Sequence, residues 1–94
     1  MKFQPTDHFS ISDEVLSQEV NGETVLLDLD GESYFGLNEV GTRIWQLLNE
    51  GLNVGLVLDT LDEEYDVERK QLESDVEELL ESLLGPGLIK LSVD

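Results

Sequence analysis

Apolar and polar positions alternate with a period of two through the front of the chain and recur at helical spacing through the rest, which predicts a small sheet followed by helices. Val15–Val20 is the first clear strand, Thr24–Leu29 the second and Ser33–Leu37 the third. Asn21-Gly22 and Asp30-Gly31 lie between them. Both dipeptides suit a two-residue hairpin turn, whose central residues need positive φ. The three strands therefore form an antiparallel meander. In the middle strand Val25, Leu27 and Leu29 share one face while Leu26 and Asp28 share the other, the alternation expected when one face is buried. Phe9 and Ile11 also alternate with polar neighbours and predict a short edge strand, or a segment packed back on the sheet. Met1 to Asp7 is expected to be an extended arm.

Asn38 followed by Glu39 has the chemistry of a helix cap with an acid in the first turn. The helix it opens runs from about Glu39 to Glu50, with Val40, Ile44, Leu47 and Leu48 as its apolar stripe, Trp45 at the margin and Gly51 beyond its end. A second helix is predicted over Val54–Glu64, capped by Asn53, burying Val57, Leu58 and Leu61, with Tyr65 closing it. The third starts after Asp66, carries Leu72, Val76, Leu79, Leu80 and Leu83 on one stripe, and stops at Gly85-Pro86-Gly87. Leu88–Ser92 is a terminal strand or an extended tail. The fold class is α+β: an N-terminal three-stranded meander, then three helices, the layout of a winged helix-turn-helix with its sheet moved to the front. Neither an internal repeat nor a low-complexity linker interrupts the 94 residues, so a single domain over 1–94 is expected.

Charge narrows the partners. The chain carries 22 acids against 5 bases, a formal net charge of −17, alongside 39% hydrophobic residues. Such a field repels phosphate backbones and anionic lipid, so neither nucleic acid nor a membrane is an expected partner, whereas a basic peptide is attracted. Solubility alone is the competing explanation. The absence of cysteine excludes disulfides, thiolate metal sites and cysteine nucleophiles. Without an apolar segment near Met1-Lys2-Phe3-Gln4-Pro5, the expected location is the cytoplasm.

Catalysis needs convergent titratable groups, and few are available. His8 is the only histidine and lies near the N-terminus, which fits a surface residue better than a base. Asp28, Asp30 and Glu32 alternate across a tight hairpin and do not have the spacing of a calcium loop. A non-enzyme without cofactor or metal is expected. Glu73, Glu77 and Glu81 recur at i+4, a like-charge column that something cationic would relieve, unless it is simply a solvated face. Asp75 sits at the edge of the apolar stripe, between Leu72 and Leu79. The third meander strand lies at a sheet edge and holds neither proline nor lysine, so it offers itself for strand addition. The segment Phe9–Ile11 or a dimer mate would be the competing cover; a monomer or weak homodimer is expected.

The runs Gly22–Asp28, Tyr34–Gly41 and Ile44–Leu48, with the Leu37-Asn38-x-x-Gly41-x-x-Ile44-Trp45 spacing at their centre, resemble the PqqD-like family. The likeness continues through Tyr65-Asp66-Val67, Asp75-Val76 and Gly87-Leu88-Ile89, about Val15 to Ile89 in all. Leu84-Gly85-Pro86-Gly87 departs from it, because the family usually continues a helix into a Gly-Leu ending. The resemblance implies a winged helix-turn-helix recognition element that binds the leader of a ribosomally made precursor peptide as an added antiparallel strand. By position, the leader would lie along Glu32, Ser33, Tyr34, Phe35, Gly36 and Leu37, facing Leu72, Asp75, Val76 and Leu79. The implied role is a stand-alone adaptor in lasso-peptide biosynthesis, serving a leader peptidase and other maturation enzymes such as a cyclase; the alternative is a peptide chaperone for a radical enzyme, as in quinone-cofactor synthesis. An acyl carrier would need an Asp-Ser-Leu motif at a helix start, and Asp59-Thr60-Leu61 lies inside a helix with the wrong hydroxyl. A winged-helix DNA binder would present Glu73, Glu77, Glu78 and Glu81 to phosphates.

Overall fold

A computed structural model describes residues 2–92; Met1, the first residue of the expected arm, lies outside them, as do Val93 and Asp94. The elements run β1 (Phe9–Ile11), β2 (Val15–Val20), β3 (Glu23–Asp28), β4 (Ser33–Leu37), α1 (Glu39–Asn49), α2 (Val54–Glu64), α3 (Arg69–Leu84) and β5 (Ile89–Leu91). Strands β2, β3 and β4 form an antiparallel sheet in that order. The α+β class and the succession of strands then three helices therefore agree with the sequence. A second, two-stranded sheet joins β1 to β5, pairing Phe9 with Leu91 and Ile11 with Ile89. The N-terminal strand thus pairs with β5, and among the described residues no strand covers the edge of β4.

The two turns differ. Asn21 and Gly22 both take positive φ, 53° and 82°, as a two-residue hairpin requires. The second connection spans Leu29–Glu32, because Asp28 pairs with Ser33. Asp28 Oδ1 accepts a hydrogen bond from the Asp30 amide at 3.2 Å, and the left-handed residue is Glu32, φ 55°. A side chain that bonds the backbone two residues on builds its own turn. The connection is thus a four-residue loop with Asp30 and Gly31 at its centre, not a two-residue turn.

The sheet buries its less apolar face. Thr24, Leu26 and Asp28 point inward under α1, with Leu26 at 0% exposure, while Val25, Leu27 and Leu29 face out. Leu26, Leu37, Ile44, Trp45, Leu47, Leu61, Leu72, Val76 and Leu80 share one core that extends through Leu88 and Ile89. Trp45 belongs to that core, whereas Val40 is only partly buried. Asn53 caps α2 by accepting from the Leu56 amide at 2.8 Å. The arm is folded back: Phe3 meets Phe9 edge to face at 5.7 Å, and the Pro5 and Asp7 carbonyls accept from the Gly55 and Val54 amides. The last helix ends at Leu84, and Gly87, φ 84°, lets the chain reverse into β5.

Scarce cations hold helix junctions. Arg43 on α1 makes two 2.8 Å hydrogen bonds to Glu64 at the end of α2. The acidic column of α3 is relieved from within the chain, by Arg69 beside Glu73 and by Lys2, whose amide bonds Glu77 and whose ammonium lies 3.5 Å from Glu81.

Two expectations follow. Leu26→Ala should cost about 2–5 kcal/mol in denaturant unfolding, whereas Leu27→Ala on the outer face should cost well under half of that; equal losses would mean that the other face is buried. The Arg43 hydrogen bond holds the Glu64 carboxyl below its ordinary value, so its contribution is present at neutral pH and is lost as pH falls through that lowered value. The stability difference between the wild type and Glu64→Gln should shrink steadily in acid, as read by thermal unfolding across pH.

Candidate peptide-binding groove

The groove begins with a count of backbone groups on β4. The Leu29 amide donates to the Glu14 carbonyl at 2.9 Å, which makes Glu14 and Leu29 a hydrogen-bonded pair. Alternation along the antiparallel ladder then aims the backbone of residues 23, 25 and 27 at β2 and that of residues 24, 26 and 28 at β4. Within β4, Ser33, Phe35 and Leu37 bond back to β3. Tyr34 and Gly36 are left with N–H and C=O on the open edge. Their register partners are Leu27 and Val25, so the Tyr34 side chain projects to the outer face and is 77% exposed, while Phe35 and Leu37 turn inward.

Beside this edge lies a cavity of about 320 Å³ between β4, α1 and α3. Gly36, Leu37 and Asn38 form its strand side, Val40, Gly41 and Ile44 its floor, and Asp75, Glu78, Leu79 and Ser82 its far wall. The motif around Leu37 explains the floor physically. Asn38 accepts from the Gly41 amide at 2.8 Å and so satisfies an otherwise orphaned donor of the first turn. Any side chain at Gly41 would begin 3.3 Å from both Asn38 Oδ1 and Leu37 Cβ, closer than most such contacts. Ile44, one turn further, reaches the core.

Of the residues expected from sequence, Gly36, Leu37, Asp75 and Leu79 line the cavity, and Phe35 packs inward next to it. Leu72 and Val76 are sunk in the core, at 1% and 0% exposure. Glu32 belongs to the turn, and Ser33 opens β4 next to it, its hydroxyl donating to the Gly31 carbonyl. Sequence reasoning missed Asn38, Val40, Gly41, Ile44, Glu78 and Ser82. The signal was present in spacing: Glu78 and Ser82 fall at i+3 and i+7 from Asp75, and Val40 and Ile44 are one turn apart. Asp75 accepts from Gln71 at 2.9 Å, and neither it nor Glu78 forms an ion pair among the described residues. The wall is apolar low down and anionic at the rim. Among the described residues no group of three or more His, Asp or Glu side chains is arranged to hold a metal ion, and no helix is long and apolar enough to cross a membrane.

The profile of the family described as coenzyme PQQ synthesis protein D (PqqD) matches residues 23–89. The chain belongs to the PqqD family. Two solved structures resemble this PqqD-family chain closely. TbiB1 in complex with the TbiA(beta) leader peptide is 40% identical, with a TM-score of 0.81 over 89% of this chain and 98% of that one. A lasso peptide synthetase B1 complexed with the leader peptide is 31% identical, with a TM-score of 0.79 over 88% and 98%. No curated protein matches.

The cap that shapes the groove can be tested directly: Asn38→Ala should lower unfolding free energy by about 1 kcal/mol. An unchanged midpoint in a denaturant titration would remove the cap from this account.

Proposed function

We propose that this PqqD-family chain is a non-catalytic adaptor that binds the leader segment of a ribosomally made precursor peptide as an antiparallel strand on the open edge of β4, over the groove walled by α3. The observation that carries the reading is that Tyr34 and Gly36 turn their backbone groups to an edge with which no described strand pairs, directly beside a cavity with an apolar floor. The leader peptides held by the two similar structures support it. In this reading the adaptor works in the cytoplasm as a monomer or weak homodimer. It presents the precursor to a leader peptidase and other maturation enzymes in lasso-peptide biosynthesis, a winged helix-turn-helix turned from nucleic acid to peptide.

Magnitudes divide the work between backbone and side chains. Two residues, each with one donor and one acceptor, give up to about four backbone hydrogen bonds, at about 0.5–1.5 kcal/mol net apiece. Micromolar affinity needs about −8 kcal/mol. Inward-facing leader side chains in the groove must therefore supply a comparable share. Residues Phe35, Leu37, Asp75 and Leu79 are the ones they would meet, with Glu32, Ser33 and the buried Leu72 and Val76 supporting the two walls.

Titration calorimetry with the leader peptide of a precursor encoded beside this chain, and with its core segment as a control, should show leader-only binding at micromolar dissociation constant or tighter. Gly36→Pro removes one free-edge donor without touching a β3–β4 hydrogen bond, and an edge position tolerates proline. A Cβ there meets nothing within 4 Å, so Gly36→Ala isolates the loss of the N–H. Proline should weaken binding by about tenfold or more, and alanine should not. A folded wild type indifferent to the leader, or a proline variant that binds normally, would sink the proposal.

A further inference from the structure

Helix α3 is used on three sides. Leu72, Val76, Leu80 and Leu83 enter the core, and Asp75, Leu79 and Ser82 wall the groove. The third side carries Glu77 and Glu81, and the helical repeat sets it roughly 150° round the helix from the groove wall. There the arm lies against it: the Lys2 amide donates to Glu77 Oε1, and the Lys2 ammonium is 3.5 Å from Glu81. Glu77 and Glu81 occupy the same turns as Glu78, Leu79 and Ser82. Lys2 therefore holds the back of the stretch whose front is the wall.

Further along, the arm is anchored on α2. The Pro5 and Asp7 carbonyls accept from the Gly55 and Val54 amides at 2.9 and 2.8 Å. Asp7 also ties the arm into a turn, its amide donating to the Gln4 carbonyl at 3.0 Å and its carboxylate accepting from the Gln4 amide at 2.9 Å. The arm is thus a short, internally bonded strap from the first turn of α2 to the back of α3. Beneath it is a hollow of about 330 Å³, lined by Gln4 and Pro5 of the strap and by Leu58 and Glu73 of the helices. The strap can lift there while Leu61, Leu72 and Val76 stay in the core. Gly55 fits it closely: a Cβ at that position would lie 3.2 Å from the Pro5 carbonyl oxygen and 3.3 Å from Pro5 Cβ.

We propose that the arm is a strap that sets the position of the groove wall, and that Lys2 is a positioning residue for leader binding although it lies on the far side of α3 from the groove. The proposal rests on leader binding at the β4 edge. A leader held between β4 and α3 needs the wall at one distance, and a strap that fixes that distance leaves less ordering for the leader to impose. Such coupling is reciprocal, so a bound leader must tighten the strap by the same factor as the strap raises leader affinity. Charge separates this role from simple attraction. Loss of the Lys2 cation makes the chain more acidic, which favours a basic leader, whereas release of the strap weakens binding.

The test uses the full chain and, as probe, the leader peptide of the precursor encoded beside it. Gly55→Ala pushes Pro5 away without changing charge, and alanine favours a helix more than glycine does, so weaker binding would not reflect a weaker α2. Lys2→Glu sets an acid against Glu81, and Lys2→Arg keeps the cation. By calorimetry on samples shown to be folded by circular dichroism, Gly55→Ala and Lys2→Glu should each bind the leader about threefold to tenfold more weakly than the wild type, and Lys2→Arg should stay within about twofold. A role confined to stability would move the unfolding midpoint and leave the dissociation constant alone. In the wild type, saturating leader should slow hydrogen exchange at the Val54 and Gly55 amides, whose acceptors belong to the arm, and Lys2→Glu should abolish that slowing. Wild-type leader affinity in either Gly55→Ala or Lys2→Glu would overturn the proposal, as would exchange at Val54 and Gly55 that is indifferent to bound leader. A folded wild type that ignores the leader would fell the adaptor reading and this proposal with it.

Discussion

The turn from β4 into α1 is the constraint on which the rest of the groove depends. Asn38 satisfies it twice over, its side chain accepting from the Gly41 amide and its carbonyl from the Thr42 amide at 2.7 Å. The Thr42 hydroxyl reaches back to the Leu37 carbonyl at 3.5 Å. These bonds fix the angle at which α1 leaves the sheet, and the close approach at Gly41 lets it leave without a gap. Because that angle is fixed, Val40 and Ile44 lie under the strand edge and α3 can stand opposite it. A looser joint would leave an edge and a helix with no cavity between them.

Sequence carried the local chemistry further than the tertiary choices. Asn21-Gly22, the Asn38 and Asn53 caps and the stripe of α3 were all legible, because each depends on neighbours within a turn or two. The buried face of the middle strand was not, since Val25, Leu27 and Leu29 look the more hydrophobic set and only the helix packed above decides that Leu26 goes in. The second turn was hidden for a related reason: Asp28 spends its side chain on the Asp30 amide. In the groove, β4 was legible as an unprotected edge. Which residues of α3 wall it required the depth of that helix in the core, which sinks Leu72 and Val76 and leaves Asp75 and Leu79 at the surface.

Charge has an unusually divided role. With a net charge of −17, the folded chain works against its own repulsion. Three of its five cations are spent at junctions between segments: Arg43 between α1 and α2, Arg69 among Asp59, Asp62 and Glu73, and Lys2 between the arm and α3. Exposed pairs of this kind contribute little singly. Their placement matters more than their strength, because it neutralises the acidic helix where the chain packs on it, while among the described residues Asp75 and Glu78 at the groove rim form no ion pair.

The pairing of β1 with β5 has a consequence for architecture on a larger scale. With Phe9 opposite Leu91, the start of β1 and the end of β5 lie side by side, on a different sheet from the one that bears the open edge. From Phe9 the arm runs back over α2 and α3, so both terminal segments are tied to the helical side of the molecule. A strand can therefore be added to β4 or released from it without displacing either segment.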